Sequence, residues 1–181
     1  MGHWGMVLSP KCRLYICCIF ALENKFIYMT GMEFLFFYER DINRLISELT
    51  VYEQDKDIWT TDGDIKNSAG HLSQHLIGNL NTYIGQAIGK IPYKRNRDAE
   101  FGQRQFERHQ LVELLKDTLS RIRQTLSPLG EKDLDNQFPA EVLFLVEKQT
   151  IAFVLTHLLA HFSWHMGQIN YHRRLTKISE R

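Results

Sequence analysis

The sequence predicts an all-α fold, a four-helix bundle with a long loop between its second and third helices. Three observations carry this. Apolar residues recur at three- and four-residue steps in four segments of roughly 20 residues. Polar stretches marked by glycine or proline separate those segments. The composition is that of an ordinary folded domain: of 181 residues, 44% are hydrophobic and 24% charged, which argues against disordered, collagen-like and disulfide-scaffold classes. A formal charge of 22 − 21 = +1 supplies no bulk field to draw the chain onto nucleic acid or an anionic membrane. The length fits one domain, or one domain with an appendage.

The first helix spans about residues 33–52, where Phe34, Phe37, Ile42, Leu45, Ile46 and Leu49 keep helical spacing. Residues 53–66 are polar, carry Asp62-Gly63 and read as a loop. Asn67 or Ser68 can then cap a second helix that runs to about Ile88, before Gly89 and Pro92. Residues 89–103 are polar and charged and read as a surface excursion, solvated on its simplest reading. The third helix keeps Leu111, Leu114, Leu115, Leu119, Ile122 and Leu126 on one face until Pro128 and Gly130 stop it. Residues 131–146 are ambiguous, and Val142 to Val146 is read as a short strand or an extended connector. The last helix covers about residues 147–175 without an internal proline.

Residues 1–31 read as an N-terminal extension, either disordered or an overextended reading frame with initiation at Met29 or Met32, and residues 32–181 as the domain. All three cysteines, Cys12, Cys17 and Cys18, lie in the first 18 residues. The rest of the chain therefore has no thiol for a disulfide, a nucleophile or a zinc-thiolate site. The apolar run of residues 14–22 is too short to span a bilayer and lacks a small-residue cleavage site. Cytoplasmic location is expected, with no membrane and no nucleic-acid partner.

Chemistry concentrates in the histidines. His71 and His75 lie four apart on the second helix, as do His157, His161 and His165 on the fourth, a spacing that stacks imidazoles on one helical face. At about 100° per residue, with Ile151 at zero, Leu155, Leu158, Phe162, Met166 and Ile169 mark the buried arc. On that wheel His165 falls near about 320°, His161 near about 280° and His157 near about 240°. The second helix repeats the pattern: Ala69, Leu72, Leu76, Leu80, Tyr83 and Ala87 form the arc, His75 sits on its shoulder and His71 further out. His75, His161 and His165 are thus the candidate ligands of one divalent ion, and three neutral nitrogens leave an open coordination position. Gln168 and Asn79 are placed to hydrogen-bond a ring nitrogen or a metal-bound water. The alternative is a set of individually satisfied histidines at helix interfaces. No H-E-x-x-H, E-x-x-H, C-x-x-C-H, P-loop or G-x-G-x-x-G run supports another site.

Three stretches, His75-Leu-Ile-Gly-Asn79, Arg95-Asn-Arg-Asp-Ala-Glu-Phe101 and His161-Phe-Ser-Trp-His165-Met-Gly-Gln168, resemble in order and spacing the DinB family of damage-inducible bundles, in a branch of uncharacterised function. The resemblance spans about residues 32–175. It implies an up-down-down-up bundle, frequently a homodimer, with a divalent metal held by one histidine of the second helix and two of the fourth. Carried over by position, the ligands are again His75, His161 and His165.

Some members of that wider superfamily transfer low-molecular-weight thiols, and the chemistry suits the site: a zinc-type ion binds a thiol sulfur, lowers its pKa and presents a thiolate to an electrophile. The expected cofactor is one divalent ion, zinc or nickel, with a low-molecular-weight thiol as cosubstrate and a small-molecule substrate. His71 or His157 stays open as a further ligand. Two other readings stand beside this one. The first is a hydrolase using metal-activated water, with Glu33, Glu100 or Glu147 as base. The second is a non-catalytic metal-binding bundle of the stress response.

Overall fold

Helix α1 (Gly31–Thr50) starts where Thr30 turns the chain, two residues before the expected start. The Glu33 carboxylate accepts the Thr30 backbone N–H at 2.6 Å and also its hydroxyl, so the third helical residue reaches back over the helix start. Gly31 is needed at the next position, because a Cβ there would lie 2.0 Å from the Leu126 carbonyl oxygen. Its N–H donates to Leu129 O at 2.9 Å. Met29 also packs against the core, and Gly31 opens the first helix. The computed structural model describes residues 29–61, 63–140 and 149–178. The remainder of the expected extension, residues 1–28, lies outside the described residues.

The loop after α1 is partly ordered by a 3-10 turn, Asp57–Trp59, which buries Ile58 completely. Ser68 caps α2 (Ala69–Leu80) by accepting from His71 N at 3.3 Å. The chain then continues as a π-helical segment, Asn81–Ile88. At that junction Asn81 Nδ2 donates to Ile77 O at 2.9 Å and Thr82 Oγ1 to Gly78 O at 2.7 Å. Side chains thus share carbonyls of the four-residue ladder where the coil widens by a residue. The lag matters for burial: the uniform wheel puts Tyr83 and Ala87 in the core, whereas Ile84 is fully buried and those two are half-exposed. Lys90, at φ 56°, terminates the segment in the left-handed region.

The excursion that follows is not simply a solvated loop. It contains α3 (Arg97–Gly102), capped by Asn96, whose Oδ1 accepts from Ala99 N at 3.3 Å. Helix α4 (Arg108–Leu126) is followed by the single turn α5 (Glu131–Leu134) and by the long α6 (Ile151–Ile178). Gln137 and Thr150 form an isolated bridge, and no strand occurs among the described residues. The expected strand at Val142 to Val146 and the expected helix start at Glu147 lie outside those residues.

The result is all-α. Helix α1 packs on α4 and α6, and α2 packs on the same two. Their apolar faces meet in one core containing Leu45, Leu76, Leu111, Ile122, Leu155 and Phe162. Polar ties fix the pairing: Tyr38 OH donates to Leu155 O at 2.7 Å, and Glu48 accepts from Asn170 at 2.7 Å and Arg173 at 2.6 Å. No helix among the described residues is long and apolar enough to cross a membrane.

Candidate metal centre

Helices α2 and α6 present their histidines to one another across a shared edge. His75 is buried on α2, and His161 and His165 are half-buried one turn apart on α6. His75 Nε2 lies 3.3 Å from His161 Nε2, which lies 3.1 Å from His165 Nε2. One nitrogen from each ring falls within 4.8 Å of the others. Metal–nitrogen bonds of about 2.0–2.1 Å at tetrahedral angles separate donors by about 3.3 Å, and the two gaps at His161, 3.3 and 3.1 Å, match that spacing.

The outer nitrogens decide whether the inner ones can be donors. His165 Nδ1 donates to Gln168 Oε1 at 2.6 Å. His75 Nδ1 donates to Glu100 Oε2 at 3.0 Å. Gln168 Oε1 and Glu100 Oε2 are acceptors; the Arg95 terminal nitrogen also stands 3.2 Å from His75 Nδ1 but gives its shorter bond, 2.7 Å, to Glu100 Oε2, so both rings are assigned their proton on Nδ1, with Nε2 turned toward His161. A single N–H on His161 can satisfy only one of them, whereas a cation satisfies all three. His161 Nδ1 is buried without a hydrogen-bond partner among the described residues. The donor set therefore fits a divalent ion, and these three residues could hold one.

Protonation works the same way. Burial pushes the His161 pKa down to about 4, helped by the neighbouring rings of His165, His75 and His157 and by Arg95. Burial also lowers His165, with Gln168 opposing. Burial raises Glu100, but Arg95 and His75 outweigh it and hold the carboxyl below its ordinary range. At neutral pH, His161 and His165 are neutral donors, the form a metal takes.

The other candidates are placed differently. His71 serves the helix start, its Nδ1 3.1 Å from Ser68 Oγ and its ring edge-on to Trp59 at 5.5 Å. His157 stacks on the far side of His161 at 6.3 Å and is not one of the three. Among the described residues Asn79 Oδ1 is buried without a hydrogen-bond partner, and the outer nitrogen of His75 meets Glu100. Of the proposed bases, Glu33 caps α1 and Glu100 is bound to Arg95 and His75, while Glu147 lies outside the described residues. His172, unremarked in the sequence, is a core residue: Nε2 donates to Thr60 O at 2.7 Å and Nδ1 accepts from Tyr52 OH at 2.8 Å. The contact of Glu100 with His75 was not read from the sequence either. Its signal was faint: a capping Asn96, with Ala99 and Phe101 among charges, marks a short helix with a buried face.

Beside His165 a cavity of about 420 Å³ opens between the loop before α2 and the second half of α6, lined by Lys66, Asn67, Leu72, Gln168 and Tyr171. Fold and site together define an all-α protein with a three-histidine group able to take a metal ion. Residues 26–180 match the family described as "Protein of unknown function (DUF1572)", and the chain belongs to it. That match does not assign it to the DinB family. No curated protein and no solved structure matches the chain.

Proposed function

We propose that this chain is a DinB-type four-helix metalloenzyme. It holds one divalent ion, zinc or nickel, through His75, His161 and His165, and transfers a low-molecular-weight thiol to an electrophilic small molecule. The observation that carries this reading is the convergence of three Nε2 atoms whose outer nitrogens are already engaged or buried. An ion there supplies Lewis-acid chemistry, the lowering of a thiol pKa. The chain's own part is to hold the rings neutral, to orient them, and to offer a cavity of about 420 Å³ on the His165 side, within the size range of small-molecule sites. With no cysteine after Cys18, the sulfur must come from a cosubstrate. The hydrolytic alternative is less well supported, because both described base candidates, Glu33 and Glu100, are held in other contacts. Homodimer formation and a cytoplasmic location belong to the same proposal.

The test begins with metal analysis of protein purified without an immobilised-metal column. About one equivalent per chain is expected, abolished by His161→Ala. A panel of thiols with a chromogenic electrophile then tests the reaction. Turnover without thiol dependence favours hydrolysis, and metal-dependent stability without any turnover favours a structural ion. Wild-type protein that stays metal-free under zinc supplementation removes every enzyme reading.

A further inference from the structure

We infer that the excursion between the second and third long helices is part of the metal centre, with Arg95 and Glu100 acting as positioning residues through His75. The inference rests on the metal reading above and deepens it. Glu100 is only 4% exposed, and a carboxylate that deeply buried needs charged and hydrogen-bonded partners. It has both. Arg95 Nε donates to Oε1 at 2.7 Å and its terminal nitrogen to Oε2 at 2.7 Å, a planar fork. Oε2 is the same oxygen that accepts His75 Nδ1–H at 3.0 Å.

Three further features serve the same contact. Gln74, the residue before His75, spends its whole carboxamide on the excursion: Nε2 donates to Glu100 O and Gln103 O, each at 2.9 Å, and Oε1 accepts from Gln105 N at 2.9 Å. The Phe101 ring lies 4.8 Å from the His75 ring and limits its swing. Gly78 leaves the carboxylate its place, since a Cβ there would stand 2.0 Å from Glu100 Oε1 and 2.8 Å from Cδ. A surface loop stapled to α2 for stability alone would not need its acid aimed at a ring nitrogen. Partners of this kind fix the tautomer and orientation of a ligating histidine, and their loss typically lowers metal affinity about 10–100-fold.

The experiment titrates cobalt(II), and zinc in competition with a chromophoric chelator, into the full chain and into Glu100→Gln, Glu100→Asp, Gly78→Ala and Gln74→Ala. Glu100→Gln is expected to weaken binding about 10–100-fold and to alter the visible cobalt spectrum, with Glu100→Asp recovering part of both. Gly78→Ala keeps every charge and improves helix propensity, and the clash falls on the far end of a side chain. It should therefore fold, displace the carboxylate and weaken binding similarly, which keeps the test open if Glu100→Gln does not fold. Gln74→Ala, which loosens the excursion without touching the carboxylate, should lower the metal-free melting temperature more than the affinity. Wild-type affinity and spectrum in Gly78→Ala and in folded Glu100→Gln would overturn this inference alone. Failure of the wild type to bind either ion would overturn the metal reading as well.

Discussion

Acid should destabilise the metal-free protein through His161, and the size of the effect follows from its surroundings. Its folded pKa is pushed down to about 4, against about 6.5 for an unfolded histidine. A depressed histidine binds fewer protons folded than unfolded, so its destabilising contribution is nearly absent above pH 6.5 and grows as pH falls toward 4. Between pH 7 and pH 5 the two-pKa linkage expression gives about 1.8 kcal/mol. Because the ring is only half-buried, solvent screening reduces this to about 1 kcal/mol. Urea unfolding of chelator-treated wild type and His161→Ala at pH 7, 6 and 5 measures it. With a slope of about 2 kcal/mol/M, the wild-type midpoint should fall by about 0.5 M more than that of the variant. The comparison cancels most of the effect of His165, His172 and His71, whose pKa values burial also lowers. Parallel midpoints in the two proteins would refute the reasoning, because a ring that titrates normally is not crowded against two others in a dry edge.

Zinc at about a hundred times its dissociation constant should add about 2.7 kcal/mol to unfolding, seen as a higher melting temperature that EDTA reverses. Gln168→Ala removes the acceptor from His165 Nδ1 at an exposed position; a metal titration should show roughly tenfold weaker binding, with the metal-free unfolding curve unchanged. Phe162→Ala empties a site of zero exposure between the two α6 ligands and should cost about 3–5 kcal/mol in urea.

The helices and the three candidate ligands were legible because each depends on a local period. Apolar steps of three and four placed α1, α2, α4 and α6 within a few residues, and the same wheel ranked His75, His161 and His165 above His71 and His157. What was not legible depends on side chains meeting backbone across the chain. Tyr83 and Ala87 were assigned to the core because a wheel assumes one pitch throughout, and the widened coil after Leu80 brings Ile84 inward instead. Asn79 was read as a partner for a ring nitrogen or a metal-bound water, while the outer nitrogen of His75 meets Glu100, a residue 25 positions away. No helical period spans that separation; only the docking of α3 on α2 brings the carboxylate there. Likewise, His172 resembles a further ligand in type, yet Tyr52 and Thr60, far away in sequence, make it part of the packing.

The widened coil at Asn81–Ile88 also makes the chain's geometry modular. Removing one residue from that segment would let ordinary helix run on from α2 and leave the chain that carries Arg95 near its present azimuth, because the wide turn already absorbs a residue. The same deletion in the regular helix between His75 and Asn81 has no such slack and would carry everything after it about 100° round the axis. The wide turn is thus the place where this helix tolerates a change of length without swinging Arg95 and Glu100 away from the first histidine.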